Sequence, residues 1–354
     1  MKSLKEMLTQ MVEKNASDMH LTVGSPIRMR IHGNLILENT ENITPEHIND
    51  LLEEYLTKQR KEKLNNGEDI DFSIGLPGTS RFRVNIFKQR SNFVATFRRL
   101  RNKIPQIDSL GLPESIIRLL DFKKGLILIT GGTGSGKSTT LASMVQKISC
   151  DKKLHIITIE DPIEYLYDHS SSIVNQREIG SDTVSFSSAL RSCLRQDPDV
   201  VAIGELRDVD SMSAAITIAE TGHLVLGTLH TNSASGTITR LIDAFPPEKQ
   251  NILRTNLSMS LIAIISQQLI PNTNRKRSLA LEILVSTPSI KSLIRDNNIH
   301  QIDNYILSGS KDGMIRMDDS ILELYKNNLI SKENAVNFAF NPSELEKRLD
   351  APSI

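Results

Sequence analysis

Four apolar runs, at residues 126–130, 155–160, 200–204 and 224–229, are each bounded by turn or polar residues and separated by stretches of helical periodicity. A strand that is apolar at every position has to be covered on both faces. Helices alternating with such strands supply that cover, so a parallel sheet wrapped by helices, an α/β fold, is predicted. Beyond Pro246-Pro247 the periodicity predicts helix over 248–268 and again over 288–326, with an extra edge strand at 280–285.

The first hundred residues have a different texture. Leu4, Met7, Leu8, Met11 and Val12 fall at helical spacing. Ile27, Met29 and Ile31 then alternate with Arg28 and Arg30, and His32-Gly33-Asn34 reads as a turn. Thr44-Pro45-Glu46 supplies an N-cap, a first-turn proline and an acidic first turn, and predicts a helix running to about Lys63. Phe82, Val84 and Ile86, then Phe93, Ala95 and Phe97, mark two more alternating strands. Strands and helices mixed without a βαβ rhythm predict a small α+β domain over residues 1–100. Residues 101–113, with two prolines and a glycine, read as a linker, and 114–354 as the second domain.

Charge and cysteine content narrow the function classes. Lys plus Arg and Asp plus Glu both number 42, so the net charge is zero, which argues against a uniformly basic nucleic-acid coat. With no Trp and 4% aromatics, a stacked platform for single strands has little to build on. Cys150 and Cys193 lie far apart, which supports neither a disulfide framework nor a zinc site and suits a reducing cytoplasm. Charged residues interrupt the N-terminal segment, so it does not read as a signal peptide. The most apolar later stretch, 257–270, is too short and too polar to cross a bilayer. Membrane work is therefore expected through a partner, without direct insertion. Arg275-Lys276-Arg277, beside a turn, reads as a solvated loop.

Gly131-Gly132-Thr133-Gly134-Ser135-Gly136-Lys137-Ser138 fits G-x-x-x-x-G-K-[ST], and it follows an apolar strand and precedes a helix. Glycines let backbone N–H groups curl around phosphate oxygens, and the helix N-terminus adds positive potential. Lys137 is expected on the β- and γ-phosphates of ATP and Ser138 on Mg²⁺, with Thr139 completing the nucleotide-binding set. The other strand ends carry Glu160, Glu205 and His230, and ligands of open α/β sheets bind at such carboxyl ends. A lone acidic strand end also fits a helix cap; three polar ends after a phosphate loop fit a site better. His223 and His230, seven apart on one predicted strand, point to opposite faces and do not suit a shared metal. Arg81 and Arg83 share one face of their strand. That pattern fits a solvated face, and it fits an arginine finger acting across a subunit boundary.

Several of these stretches together resemble the type II/type IV secretion ATPases, and most closely the PilT-like retraction ATPases of type IV pili, over nearly the whole chain. Ala16-Ser17-Asp18-Met19-His20-Leu21-Thr22-Val23-Gly24 is similar to that family's N-terminal signature, and Arg81-Phe82-Arg83-Val84-Asn85 to its arginine-bearing strand. Ile159-Glu160-Asp161-Pro162-Ile163-Glu164 resembles the Asp box. Asp197-Pro198-Asp199 through Gly204-Glu205-Leu206-Arg207-Asp208 resembles an unusual Walker B in which Gly204 replaces the customary Asp. Gly222-His223 through Thr228-Leu229-His230-Thr231-Asn232 resembles the His box.

The resemblance implies a hexameric ring of subunits with a PAS-like N-domain and a RecA-like P-loop ATPase C-domain. It implies Glu205 as catalytic glutamate, Glu160 positioning Mg²⁺ or water, and His230 near the γ-phosphate. Arg81, Arg83 and Arg98 would reach the nucleotide. The implied motor sits at the cytoplasmic face of the inner membrane, acts on the platform protein beneath the pilus, and moves the pilin filament indirectly. Gly132 stands where the family often has Pro. Ser289-Ile290-Lys291-Ser292-Leu293-Ile294-Arg295-Asp296 keeps the apolar spacing of the retraction motif A-I-R-N-L-I-R-E while changing polar positions. Assembly and secretion ATPases usually carry a long extra N-terminal domain and a four-cysteine zinc element, and neither is found here. A RecA-like nucleic-acid motor and an inactive nucleotide-binding regulator are the other classes. Neutral charge argues against the first, and the presence of Lys137, Ser138, Glu160 and Glu205 against the second.

Overall fold

The structure, a computed structural model, describes residues 3–77, 79–100, 103–274 and 276–350. Arg101, at the head of the expected linker, and Arg275 of the basic cluster lie outside them. The chain divides into two compact units, Met1–Lys103 with Asp161–Leu166, and Ile104–Glu160 with Tyr167–Ile354.

In the first unit, β1 (Asp18–Thr22), β2 (Arg28–Ile31), β3 (Asn34–Leu37), β4 (Ile70–Leu76), β5 (Ser80–Gln89) and β6 (Asn92–Arg99) form an antiparallel sheet in the order β3-β2-β1-β6-β5-β4. Alternation sends Phe82, Val84, Ile86 and Phe97 into a core with Met19 and Leu21. The helix Leu4–Glu13, closed by a capping box between Ser3 and Glu6, adds Leu4, Met7, Leu8 and Met11 to that core. The helix expected from 45 to about 63 is two helices, Pro45–Leu52 and Lys58–Asn65, parted by a 3-10 turn at Glu53–Tyr55. Leu56 turns into the core, and the Thr57 hydroxyl restarts the helix by accepting from the Arg60 N–H.

In the second unit, β7 (Gly125–Thr130), β8 (His155–Glu160), β9 (Ile173–Glu178), β10 (Val200–Ile203), β11 (Leu224–Leu229), β12 (Leu261–Pro271) and β13 (Arg277–Val285) form one sheet, ordered β13-β12-β7-β11-β10-β8-β9. Every neighbouring pair is parallel except the antiparallel β12–β13 hairpin. Two apolar layers cover it: Leu126 and Leu128 belong to one, Ile127 and Ile129 to the other. This is the two-faced burial that continuous apolar runs require.

The helix expected over 248–268 ends early. It spans Pro247–Ser260, and the chain continues as β12 beside β7. Leu261 through Ile265 are buried at every position, with Leu261 and Ile264 in one layer and Ala263 and Ile265 in the other. A short run apolar on all sides has no period to tell helix from strand, and the β-branched isoleucines favour strand. The stretch expected as helix over 288–326 is likewise broken, into Pro288–Arg295, Ile302–Ser308 and Met317–Lys326 with 3-10 turns between. Residues 289–296 fall on the first of these helices and its C-cap, which buries Ile290, Leu293 and Ile294. Among the described residues, no helix is long and apolar enough to cross a membrane.

Candidate functional site

The glycine-rich loop leaves β7 at Gly131 and enters the helix Lys137–Asp151. Gly131 holds φ at 146°, and a Cβ there would lie 2.4 Å from Ser135 Oγ and 2.5 Å from the Gln267 carbonyl oxygen. Only glycine lets the loop fold this closely over β12. Ser135 Oγ is buried inside the loop without a hydrogen bond. The Lys137 ammonium donates to the Gly131 and Gly132 carbonyls at 2.8 and 3.0 Å. Gly132, Thr133, Gly134 and Ser138 are exposed, while Gly136 and Thr139 are half-buried.

Parallel register brings the other polar strand ends to the same sheet edge. Leu229 pairs with Thr130, Ile203 with Gly227, and Ile203 with Ile159, so His230, Glu205 and Glu160 emerge at the same sheet edge as the loop, from the successive strands β11, β10 and β8. Glu160 Oε1 accepts from the Thr158 hydroxyl at 2.7 Å and from the Gln176 amide at 3.1 Å. Glu205 accepts from Arg207 Nε at 2.7 Å through Oε2, and its Oε1 lies 3.3 Å from His230 Nε2. Gly204 has a steric reason to replace a larger residue. A Cβ there would lie 3.3 Å from both the Glu160 Cα and the Ile159 carbonyl oxygen. The Gly204 N–H donates to that carbonyl at 2.8 Å, which locks the ends of β8 and β10 together.

His223 and His230 flank β11 rather than lying on it. His223 Nδ1 sits 3.1 Å from the Ile218 carbonyl, in the turn before the strand. Among the described residues, no three His, Cys, Asp or Glu side chains gather as a metal cage. Cys150 and Cys193 are free thiols, and burial pushes Cys193 up to about 11, which keeps it unreactive.

Arg81 and Arg83 lie on β5 of the first unit, on the sheet face opposite its core. Arg81 donates to Ser73 Oγ. Arg83 grips the Asp71 carboxylate at 2.9 and 3.0 Å. That bond raises the guanidinium's pKa, and Glu164 and Asp161, of the segment grouped with this unit, act the same way. Across the sheet, Arg98 donates to Asp18 at 2.8 Å.

Sequence reasoning missed what β12 and β13 contribute. Ser266 shares a hydroxyl hydrogen bond with Thr130, at the end of β7, at 2.8 Å. Gln267 Nε2 donates to Thr140 of the loop's helix at 2.8 Å. Arg277, expected in a solvated cluster, is exposed but begins β13, and its guanidinium reaches the Gly134 carbonyl at 3.3 Å. Ser266 and Gln267 brace the phosphate loop from a strand whose sequence predicts helix, and Arg277 does so from a cluster whose sequence predicts a solvated loop, so no motif marks them.

Glu282 is also new. Buried on β13, it accepts from the Ala234 N–H at 2.7 Å and so caps the helix that follows His230. Burial pushes its carboxyl up to about 7, Asp303 and Asp318 add to the rise, and the N–H groups of Ala234 and Met317 oppose it. A carboxyl whose pKa is higher in the folded chain than in the unfolded one stabilises fully below the unfolded value, and that contribution is lost as pH rises through about 7. The shift corresponds to roughly 3–4 kcal/mol at its limit. Stability measured from pH 5 to pH 8 should therefore fall in the wild-type chain relative to Glu282→Gln. Parallel curves for the two proteins would contradict the buried titration.

Known proteins place the chain. Residues 1–282 match the family model described as type II/IV secretion system protein. Over 332 residues the chain is 42% identical to the type IV pilus retraction ATPase PilT of Pseudomonas aeruginosa, covering 94% of this chain and 96% of that one. It is 37% identical over 338 residues to a twitching motility protein of Neisseria gonorrhoeae, covering 95% and 90%. A crystal structure of the pilus retraction motor PilT with bound ADP superposes with a TM-score of 0.90 at 44% identity, covering 98% of this chain and all of that one.

Proposed function

The chain belongs to the type II/IV secretion system protein family, and on that premise we propose that it is the ATP-hydrolysing motor of type IV pilus retraction. The observation that carries this reading is likeness to a retraction ATPase over 94% of the chain, with the phosphate loop and three polar strand ends at one sheet edge. The reaction is ATP plus water to ADP plus phosphate, and the work is filament disassembly and twitching motility.

The loop's residues fit a nucleotide. Gly131 keeps open a cradle that a Cβ would fill, and Ser135 Oγ waits in it unpaired. Lys137 would exchange its two loop carbonyls for phosphate oxygens. Ser138 and Glu160 offer hard oxygen donors suited to Mg²⁺, which keeps several waters and needs no all-protein cage. When bound, Mg²⁺ supplies charge neutralisation on the phosphates. Glu205, held by Arg207 and His230, would orient and deprotonate the attacking water. His230 would sense the γ-phosphate beside it. We further propose that the subunits act as a homohexamer at the cytoplasmic face of the inner membrane and turn a platform protein.

Arg81 and Arg83 are proposed to stabilise transition-state charge. Replacing either with Ala should lower kcat far more than it weakens nucleotide binding, because a finger acts chiefly on the transition state. If they act across a subunit boundary, mixing such a mutant with Glu205→Gln should restore turnover at some mixed interfaces. No recovery in rings shown to be mixed assigns the arginines to their own subunit.

Direction of motion is tested by deletion. A strain lacking the protein should keep its pili, or carry more, and lose twitching, because assembly continues unopposed. Bald cells, with pilin expressed and the assembly ATPase intact, would assign the motor to assembly instead.

A further inference from the structure

We infer that Gln176 is a positioning residue for the ATPase reaction, aiming the Glu160 carboxylate and closing the base of the chain excursion that follows it. The inference rests on the assignment of Glu160 to the active site made above. β8 and β9 run parallel, with Thr158 opposite Gln176 and Glu160 opposite Glu178. Side chains two apart on a strand share a face, so Thr158 and Glu160 point the same way, and Gln176 stands beside them on the neighbouring strand. Two donors converge on one oxygen of Glu160: the Thr158 hydroxyl at 2.7 Å and the Gln176 amide nitrogen at 3.1 Å. Thr158 is buried, and Gln176 is half-buried.

The other end of the same amide does a second job. Gln176 Oε1 accepts the N–H of Tyr167 at 3.0 Å. Glu160 is the last residue of β8 before the chain departs through residues 161–166, and Tyr167 is the first after it returns. One planar carboxamide therefore holds the carboxylate at the point of departure and the backbone at the point of return. A carboxamide is suited to both tasks, because it donates at one end and accepts at the other. A carboxylate at position 176 could serve Tyr167 but would repel Glu160. An apolar side chain could serve neither.

Outer residues that orient a reacting carboxylate typically cost 10–100-fold when removed. Gln176→Ala should lower kcat by about that factor while leaving the affinity for a fluorescent ATP analogue within about twofold of wild type. Because Gln176 acts through Glu160, adding Gln176→Ala to Glu160→Ala should lower turnover no further. Gln176→Glu keeps the acceptor for Tyr167 but turns the donor into a charge. Its kcat should be low at pH 8 and recover toward pH 6, where a protonated carboxyl can donate again, and the wild-type profile should show no such recovery. Equal melting temperatures establish that the variants are folded. If Gln176→Ala does not fold, the Gln176→Glu pH profile decides alone. Wild-type kcat in folded Gln176→Ala, full multiplication of the two single effects, or a Gln176→Glu profile parallel to wild type would each overturn the inference. Failure of the underlying assignment looks different: Glu160→Ala itself would then hydrolyse ATP normally.

Discussion

Glu205→Gln should bind ATP as the wild type does and hydrolyse it about 10²–10⁴-fold more slowly, the usual contribution of a general base. The substitution keeps size and hydrogen-bonding capacity and removes the charge. Two groups hold the carboxylate, Arg207 at 2.7 Å and His230 at 3.3 Å, and both are substantially exposed. Exposed ion pairs contribute at most about 1 kcal/mol, so the fold should survive with little loss of stability. The substitution lies outside the phosphate loop, where Lys137 donates to the loop's own carbonyls at Gly131 and Gly132. Phosphate release and nucleotide affinity measured on the same preparation separate the two effects. Turnover at the wild-type rate would move the catalytic role to Glu160, the acidic residue that ends β8.

Gly131→Ala should remove nucleotide binding itself. The added methyl would meet Ser135 Oγ at 2.4 Å, and a serine hydroxyl can rotate away. It would also meet the Gln267 carbonyl oxygen at 2.5 Å, and that atom belongs to the backbone of β12, a strand flanked by β13 and β7. The loop must therefore lift off β12, and the N–H groups that would face the phosphates move with it. The backbone at φ 146° adds strain. Overpacking and a disfavoured backbone each cost on the order of 1–3 kcal/mol, against a total stability of only about 5–15. ATP affinity should fall by more than about 100-fold, with a clear drop in melting temperature. A variant that binds ATP normally would show that the loop is not built as described.

How much was legible in the chain follows from which residues carry a period. β7, β8, β10 and β11 could be read because strands buried on both faces have no choice but to be apolar throughout. The same rule misled at β12, where Leu261 through Ile265 follow directly on a helix that ends at Ser260, with no turn residue between. That error hid Ser266 and Gln267, the side chains that brace the phosphate loop from beneath. β9 went unseen because its exposed and buried positions alternate irregularly at a sheet edge, and Gln176 was lost with it. β3 is exposed at all four positions and shows no inward face to detect. Glu160, Glu205 and His230 were visible one by one as polar strand ends. Their meeting depends on register, which pairs Ile203 with both Ile159 and Gly227, and no single segment encodes that. Glu282 lay inside a strand that was foreseen. Its role is set by two helix starts, at Ala234 and Met317, that are remote in sequence.

ATP hydrolysis at Glu205 is proposed to shorten a type IV pilus. Fluorescently labelled pili filmed on living cells test this, in a strain whose only copy of the protein carries Glu205→Gln. Pili should be present and should extend, and they should not retract on the timescale of wild-type retraction. Pili that shorten at the wild-type rate, or cells with no pili at all while pilin is still made, would contradict it.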